Sequence, residues 1–220
     1  HTSVLLHETI EGLNVQPGDV IFDGTLGGGG HAYEIAKKYP TVKKIIGTDL
    51  DPDAIARVQI KLAHVAPSIH LAQENFREVK KVVTEAGEDH LNRMLLDLGV
   101  SSFTFFESGR GFSFQKDEPL IMTFGEPQKG GVTAETVVND WEEENLQAII
   151  EGYGEERFAK RIARKIAEAR KVQRITTSTQ LAQIIESAVG RRGKVHPATK
   201  TFQAIRIAVN DELGALKQAL

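Results

Sequence analysis

The run Asp23-Gly24-Thr25-Leu26-Gly27-Gly28-Gly29-Gly30-His31 concentrates more potential chemistry than any other stretch of this chain. Four consecutive glycines strip one side of a turn of Cβ atoms, so backbone N–H groups can approach a ligand and take dihedrals closed to other residues. The apolar run Val20-Ile21-Phe22 precedes the turn and a helical pattern follows it. That layout predicts strand, turn and helix, a cradle for a nucleotide-like cofactor. Two more acids stand where further strands should end. Asp49 opens Asp49-Leu50-Asp51-Pro52, and Asp97 sits in Leu96-Asp97-Leu98-Gly99-Val100-Ser101-Ser102.

Two cofactors fit the glycine turn. Gly27, Gly29 and Ala32 satisfy G-x-G-x-x-G/A, and Asp49 lies at the distance of the acid that binds a ribose hydroxyl in dinucleotide sites. Asp23, four positions before the first of those glycines, favours S-adenosylmethionine, because class I methyltransferases close their first strand with an acid ahead of the turn. Asp51 precedes a proline and is expected to cap a helix, which leaves Asp49 as the ribose ligand. Phe76, after the third strand, can pack against adenine, although an isolated Phe is more often core. At the end of the fourth strand, Asp97 could accept N–H groups from an exocyclic amine, turn its lone pair toward a methyl donor and absorb the developing positive charge.

The elements that position these residues alternate. Helix is expected over 5–13, 30–38, 53–64 and 76–86, and strand over 20–23, 44–49, 69–72 and 93–98, the order of βαβ units around a parallel sheet. Right-handed crossovers then bring Asp23, Asp49 and Asp97 to one sheet edge. Residues 103–131 read as a loop rich in Gly and Phe. Helices are expected after Thr133, after a capping box of Asp140 and Glu143, over 155–172, from Thr177 or Ser178, and as one long amphipathic element over 197–220. The domains expected are therefore 1–102 with 196–220, and an inserted helical domain over 103–195.

Cysteine is absent from the 220 residues, which excludes thiolate metal sites and disulfides, and the seven histidines show no ligand spacing, so no metal is expected. No apolar run is long enough for a membrane span and no signal peptide is visible, so the expectation is a cytoplasmic protein without a membrane partner. The formal charge of -3 hides an asymmetry: residues 151–206 hold thirteen Lys and Arg against five Asp and Glu. Such a local excess suits a nucleic acid, although a solvated, ion-paired helix face would show the same run. H-E-x-x-H, G-x-S-x-G and a complete P-loop are all missing. Gly190-Arg191-Arg192-Gly193 matches the GXXG of RNA-binding KH modules without their strand pattern.

These motifs, with Arg110-Gly111-Phe112-Ser113-Phe114, Gly154-Glu155-Glu156-Arg157-Phe158 and the run from His196-Pro197-Ala198-Thr199-Lys200 through Asn210, resemble the bacterial ribosomal RNA small-subunit methyltransferase H family, RsmH or MraW. The resemblance spans nearly the whole chain. It implies a class I, Rossmann-like α/β methyltransferase with a doubly wound, mostly parallel sheet and an inserted α-helical domain that helps recognise RNA. It also implies S-adenosylmethionine-dependent methylation of N4 of a cytidine in 16S rRNA at the decoding centre, with the small ribosomal subunit as partner. Carried over by position, the cofactor contacts are Gly29, Gly30, His31, Asp49, Phe76 and Asp97; the glycine pattern adds Gly27 to them, and the amine-orienting argument makes Asp97 the catalytic residue as well.

Two departures mark this chain. Thr104 occupies the position where the family usually has a Gln cofactor contact, and Pro119-Leu120-Ile121-Met122-Thr123-Phe124-Gly125 replaces a run holding two carboxylates and an arginine. The chain begins with His and stops at Leu220, before the last strands of the family, so a trimmed chain with an incomplete sheet is expected. Two other functions compete: an RNA-binding assembly factor with a degenerate pocket, and an NAD-dependent oxidoreductase. Monomer and homodimer are both open.

Overall fold

In the computed structural model, which describes residues 5–127, 129–190 and 195–220, the chain divides into two units, His1–Ser101 with Leu213–Leu220, and Ser102–Glu212. The first is α/β. Helix α1 (Leu6–Gly12) leads into β1 (Val20–Asp23), α2 (Gly30–Lys38), β2 (Lys44–Thr48), α3 (Pro52–Lys61), β3 (Ser68–Ala72), a 3-10 turn at Phe76–Glu78, α4 (Val79–Glu85) and β4 (Arg93–Leu95). The sheet order is β3-β2-β1-β4, every pair parallel. β1 is buried along its whole length, as expected of a parallel strand covered on both faces.

Side-chain alternation along β1 and β2 sorts the core into two layers. Ile21 and Ile45 join Ala32 and Ile35 of α2 and Val58 of α3, while Val20, Phe22 and Ile46 join Val79, Val82 and Val83 of α4. Phe22 is 0% exposed, so truncating it to alanine would cost about 3–5 kcal/mol. The strand order reverses between β1 and β4, and in open α/β sheets the ligand crevice lies beyond the carboxyl ends of the strands at that point.

Two strands end earlier than expected, so Asp49 and Asp97 do not close them. β2 stops at Thr48 and β4 at Leu95. The turn takes over their backbone partners: Leu26 N–H donates to the Thr48 carbonyl and Gly24 N–H to the Leu95 carbonyl. Beyond β4, Asp97 N–H donates to Thr25 Oγ1 at 2.7 Å instead of continuing a ladder. Asp51 caps α3 as expected, its Oδ1 accepting Asp53 N–H at 3.0 Å.

The second unit is helical: α5 (Ser102–Glu107), α6 (Ala134–Asp140), α7 (Glu143–Gly152), α8 (Ala159–Val172), α9 (Ser178–Val189) and α10 (Thr199–Asn210). α5 falls inside the stretch expected as loop. α8 packs on α6, α7 and α9, and α10 on α6 and α7, burying Val137, Leu146, Ile150, Ile162, Ile166, Leu181, Ile185 and Ile205. Residues 196–212, grouped from sequence with the first domain, thus fall in the helical unit.

Three helix expectations are corrected. Asp140 ends α6 and its carboxylate holds Arg174 at 3.1 Å, so it forms no capping box with Glu143, and Glu142 takes the N-cap without a side-chain bond. α8 begins at Ala159, not Glu155, because Glu155 takes a left-handed φ of 49° and Glu156 Oε1 accepts Phe158 N–H at 2.9 Å. The long element over 197–220 breaks at Asp211, φ 47°, into α10 and α11 (Glu212–Ala219). Arg206 pairs with Glu212 across that break at 2.8 and 3.2 Å, and the Asn210 amide donates to the carbonyls of Met122 and Arg206. At α9 the Thr177–Gln180 capping box forms.

Candidate active site

The glycine turn is held by hydrogen bonds from below. Thr25 N–H donates to Asp23 Oδ1 at 3.1 Å, Gly27 N–H to Asp49 Oδ2 at 2.8 Å and Gly29 N–H to the Leu26 carbonyl at 2.6 Å. Gly27 and Gly29 have φ of 49° and 64°, where an L side chain is strained, and a Cβ on Gly29 would lie 2.8 Å from Val58 Cγ2. Gly29 is the N-cap of α2 and uses no side chain to satisfy the first helical turn. Among the described residues, the N–H groups of Gly28, Gly30 and His31 show no hydrogen-bond acceptor, so they can receive an anionic group at the positive end of the helix.

Acids gather at the strand ends facing this turn. Asp23 is 1% exposed; its Oδ2 is buried and has no hydrogen-bond partner among the described residues. Burial pushes its pKa up to about 7, with the nearby charges of Asp49 and Asp97 adding to the rise and the Thr25 amide opposing it. Asp49 is half-buried and also raised by desolvation, and its oxygens accept the amides of Gly27 and Asp51. Each of those oxygens retains a lone pair for a hydroxyl donor. Asp97 is exposed, with its main chain fixed on Thr25. His31 is 5% exposed, and its Nε2 is buried with no partner among the described residues.

Gly27, Gly29, Gly30, His31, Asp49 and Asp97 thus lie in one unit around one turn. Phe76 is half-buried, its Cβ 2.8 Å from the point a Cβ on Gly24 would occupy, and its ring packs partly against the core layer under β1. Thr104 belongs to the helical unit, buried on α5. Two contributors were missed from sequence. Thr25 ties the turn to Asp97 through its hydroxyl, and Asp23, read only as a pointer to the cofactor, is itself a buried half-satisfied carboxyl. The signal for Asp23 was the apolar Val20-Ile21-Phe22 run directly before it. Among the described residues no cluster of three or more metal-ligating side chains occurs, and no helix is long and apolar enough to cross a membrane.

Between residues 157 and 206 the described basic residues fall into two sets. Arg170 is turned onto the carbonyls of Val138 and Trp141 at 3.0 and 2.6 Å, and Arg174 binds Glu135 and Asp140. Lys200 donates to the Glu155 carbonyl, and Arg206 pairs with Glu212. Those four hold structure. Lys160, Arg161, Arg164, Lys165 and Lys171 remain on the exposed face of α8, where Arg164 and Lys165 meet Glu168 only at 3.7 and 3.8 Å. Arg157 is exposed before α8, its guanidinium over the Phe158 ring at 4.5 Å. Arg191, Arg192 and Lys194, read from sequence as part of the basic surface, lie outside the described residues.

The model of the MraW methylase family matches residues 1–220. The chain is 45% identical over 223 residues to the ribosomal RNA small subunit methyltransferase H of Symbiobacterium thermophilum, covering 100% of this chain and 70% of that one. It is 43% identical to the protein of the same name from Brevibacillus brevis, at the same coverage. Against that of Limosilactobacillus fermentum it is 46% identical over 228 residues, 100% of this chain and 71% of the relative.

Proposed function

The chain belongs to the MraW methylase family, and on that premise we propose that it methylates the exocyclic N4 of a cytidine in 16S rRNA, with S-adenosylmethionine as donor and the small ribosomal subunit as partner. The reading rests on one observation above the rest: Asp49 bound to the Gly27 amide and Asp97 anchored on Thr25, both on the turn at the switch point of the sheet. The residues fit such a donor. Among the described residues, buried Asp23 Oδ2 and His31 Nε2 have no hydrogen-bond partner, and the amides of Gly28, Gly30 and His31 at the turn and the start of α2 are open to a carboxylate.

When bound, S-adenosylmethionine supplies an electrophilic methyl group on a sulfonium. Gly30 and His31 would hold its amino-acid end through their amides, Asp49 its ribose hydroxyls, and Phe76 its adenine. Asp97 presents an exposed carboxylate that would accept an N–H of the target amine, orienting its lone pair and balancing the charge that develops there. A base inside a duplex cannot reach such a crevice, so the target must be unpaired or flipped out. The exposed basic face of α8 would follow RNA phosphates while the helical unit recognises the substrate; we assign that role to Lys160, Arg161, Arg164, Lys165 and Lys171. Thr104 is assigned a cofactor contact by its position in the family motif alone.

Substituting Asp97→Ala tests the reading. Because Asp97 is exposed, the variant should melt like the parent while methyl transfer to rRNA falls by about 10²-fold or more. Full turnover by the variant would remove Asp97 from the chemistry. Calorimetry separates the donor from its rival: S-adenosylmethionine should bind and NAD should not, and the reverse result would make the protein an oxidoreductase.

A further inference from the structure

Where α6 meets α7, the helical unit carries a hollow of about 490 Å3, lined by Asp140, Trp141, Glu142, Asn145, Ala148 and Ile149. Trp141, the one tryptophan of the chain, is half-buried there. The surrounding sequence is acidic throughout: residues 130–156 hold eight Asp and Glu and no Lys or Arg. Asp140 is taken by Arg174. The side chains of Glu142, Glu143 and Glu144, by contrast, make no ion pair or hydrogen bond among the described residues. Glu143 and Glu144 suit the first turn of α7, where the helix dipole favours acids, but helix formation does not account for an indole set in a hollow beside them.

An indole face among carboxylates attracts a cation twice, through the ring quadrupole and through the acid charge. The adjoining surface already shows that chemistry with the chain's own arginines: Arg170 donates to the Trp141 carbonyl at 2.6 Å, and Arg174 reaches both Glu135 and Asp140. An RNA strand would set its phosphates against unpaired carboxylates here and be repelled. The neighbouring helix is the opposite case, because α8 packs on α7 and exposes Lys160, Arg161, Arg164, Lys165 and Lys171.

Resting on the small-subunit reading of the partner, we propose that the Trp141 hollow docks a lysine- or arginine-rich segment of a protein of the small ribosomal subunit. One cationic side chain lies over Trp141, and its neighbours meet Glu142 and Glu144. Proteins seated on ribosomal RNA carry Lys and Arg to neutralise phosphates, so a basic chain is the cation that the substrate particle offers. RNA on α8 and protein on α7 give the helical unit two contacts with one particle, and two contacts that engage together bind more tightly than either alone.

The single tryptophan reports its own site. Titration with an octa-arginine peptide at low salt should change the tryptophan fluorescence to saturation, and octa-glutamate should not. Glu142→Gln combined with Glu144→Gln should weaken the peptide about fivefold or more. Glu8→Gln combined with Glu11→Gln, at exposed acids of α1, should leave it unchanged. The Glu142 and Glu144 pair should also weaken binding to intact small subunits by about fivefold and leave binding to protein-free 16S rRNA as in the parent. Both carboxylates are exposed, so this variant should melt like the parent. Equal loss on protein-free rRNA would make the hollow an RNA contact, and peptide-free fluorescence that shifts with protein concentration would make its occupant a second copy. Either result overturns the inference, as does a variant that binds peptide and subunits like the parent. If the parent itself does not bind small subunits, the partner reading fails and this inference falls with it.

Discussion

Asp23→Asn should make the cofactor-free protein more stable relative to wild type as the pH rises. The Asp23 pKa moves from 3.8 to about 7 on folding, so between those values the native state holds a proton that the unfolded chain has released. Stability therefore falls with rising pH through that window on account of this residue, and the whole penalty is present above pH 7. A tenfold change in proton affinity is worth about 1.4 kcal/mol, giving a ceiling of about 4 kcal/mol at pH 8 and about 1.7 kcal/mol at pH 5. Asparagine carries no titrating proton. Its Oδ1 can still accept the Thr25 amide, and any cost of its Nδ2 at the Oδ2 position is independent of pH. The variant's stability minus that of wild type should thus grow by about 2–3 kcal/mol from pH 5 to pH 8. Urea denaturation at both pH values, without ligand, measures it. A difference that stays constant across this range would refute the claim that Asp23 is buried and proton-bound in the folded state.

Gly29→Ala should cost about 2–4 kcal/mol, from a left-handed φ and contact with Val58, while Gly28→Ala, which meets open space, should shift stability by less than about 1 kcal/mol; equal effects would contradict the turn geometry. Arg206→Ala should cost about 3 kcal/mol by urea denaturation, because Glu212, 5% exposed, would lose its charge partner, and a loss below about 0.5 kcal/mol would show the pair to be dispensable. Changing Lys160, Arg164 and Lys171 to Gln should lower the salt slope of binding to single-stranded RNA by about 0.7 per phosphate contact. Arg174→Gln, whose parent side chain is held by Glu135 and Asp140, should leave that slope alone; the opposite pattern would move the RNA contact off α8.

Short-range signals carried much of the fold. The turn at residues 24–29 was legible because glycines sit where φ is positive, and β1 because a continuous apolar run suits a strand covered on both faces. Asp51 was legible as a cap because a proline follows it. Harder to see was anything decided by a distant partner. Asp97 looked like a strand terminus, yet β4 stops at Leu95 because Gly24 and Thr25, some seventy residues earlier, take over its backbone bonds. The amphipathic period over 197–220 runs unbroken through Asp211, where a left-handed residue stops α10 and the Arg206–Glu212 pair spans the break. Net charge counted Arg170, Arg174, Lys200 and Arg206 toward a basic surface, whereas carbonyls and acids from other segments hold them. In the candidate site the residue types were visible but not their burial, and burial is what separates Asp23 from Asp97.

The most direct test of the central claim is the position of the transferred methyl group. Small ribosomal subunits lacking this modification are incubated with the protein and isotopically labelled S-adenosylmethionine, and the rRNA is mapped by mass spectrometry. The label should appear on N4 of a single cytidine in the small-subunit rRNA and be absent with Asp97→Ala. Label on any other atom, or none from folded protein that binds the donor, would contradict it.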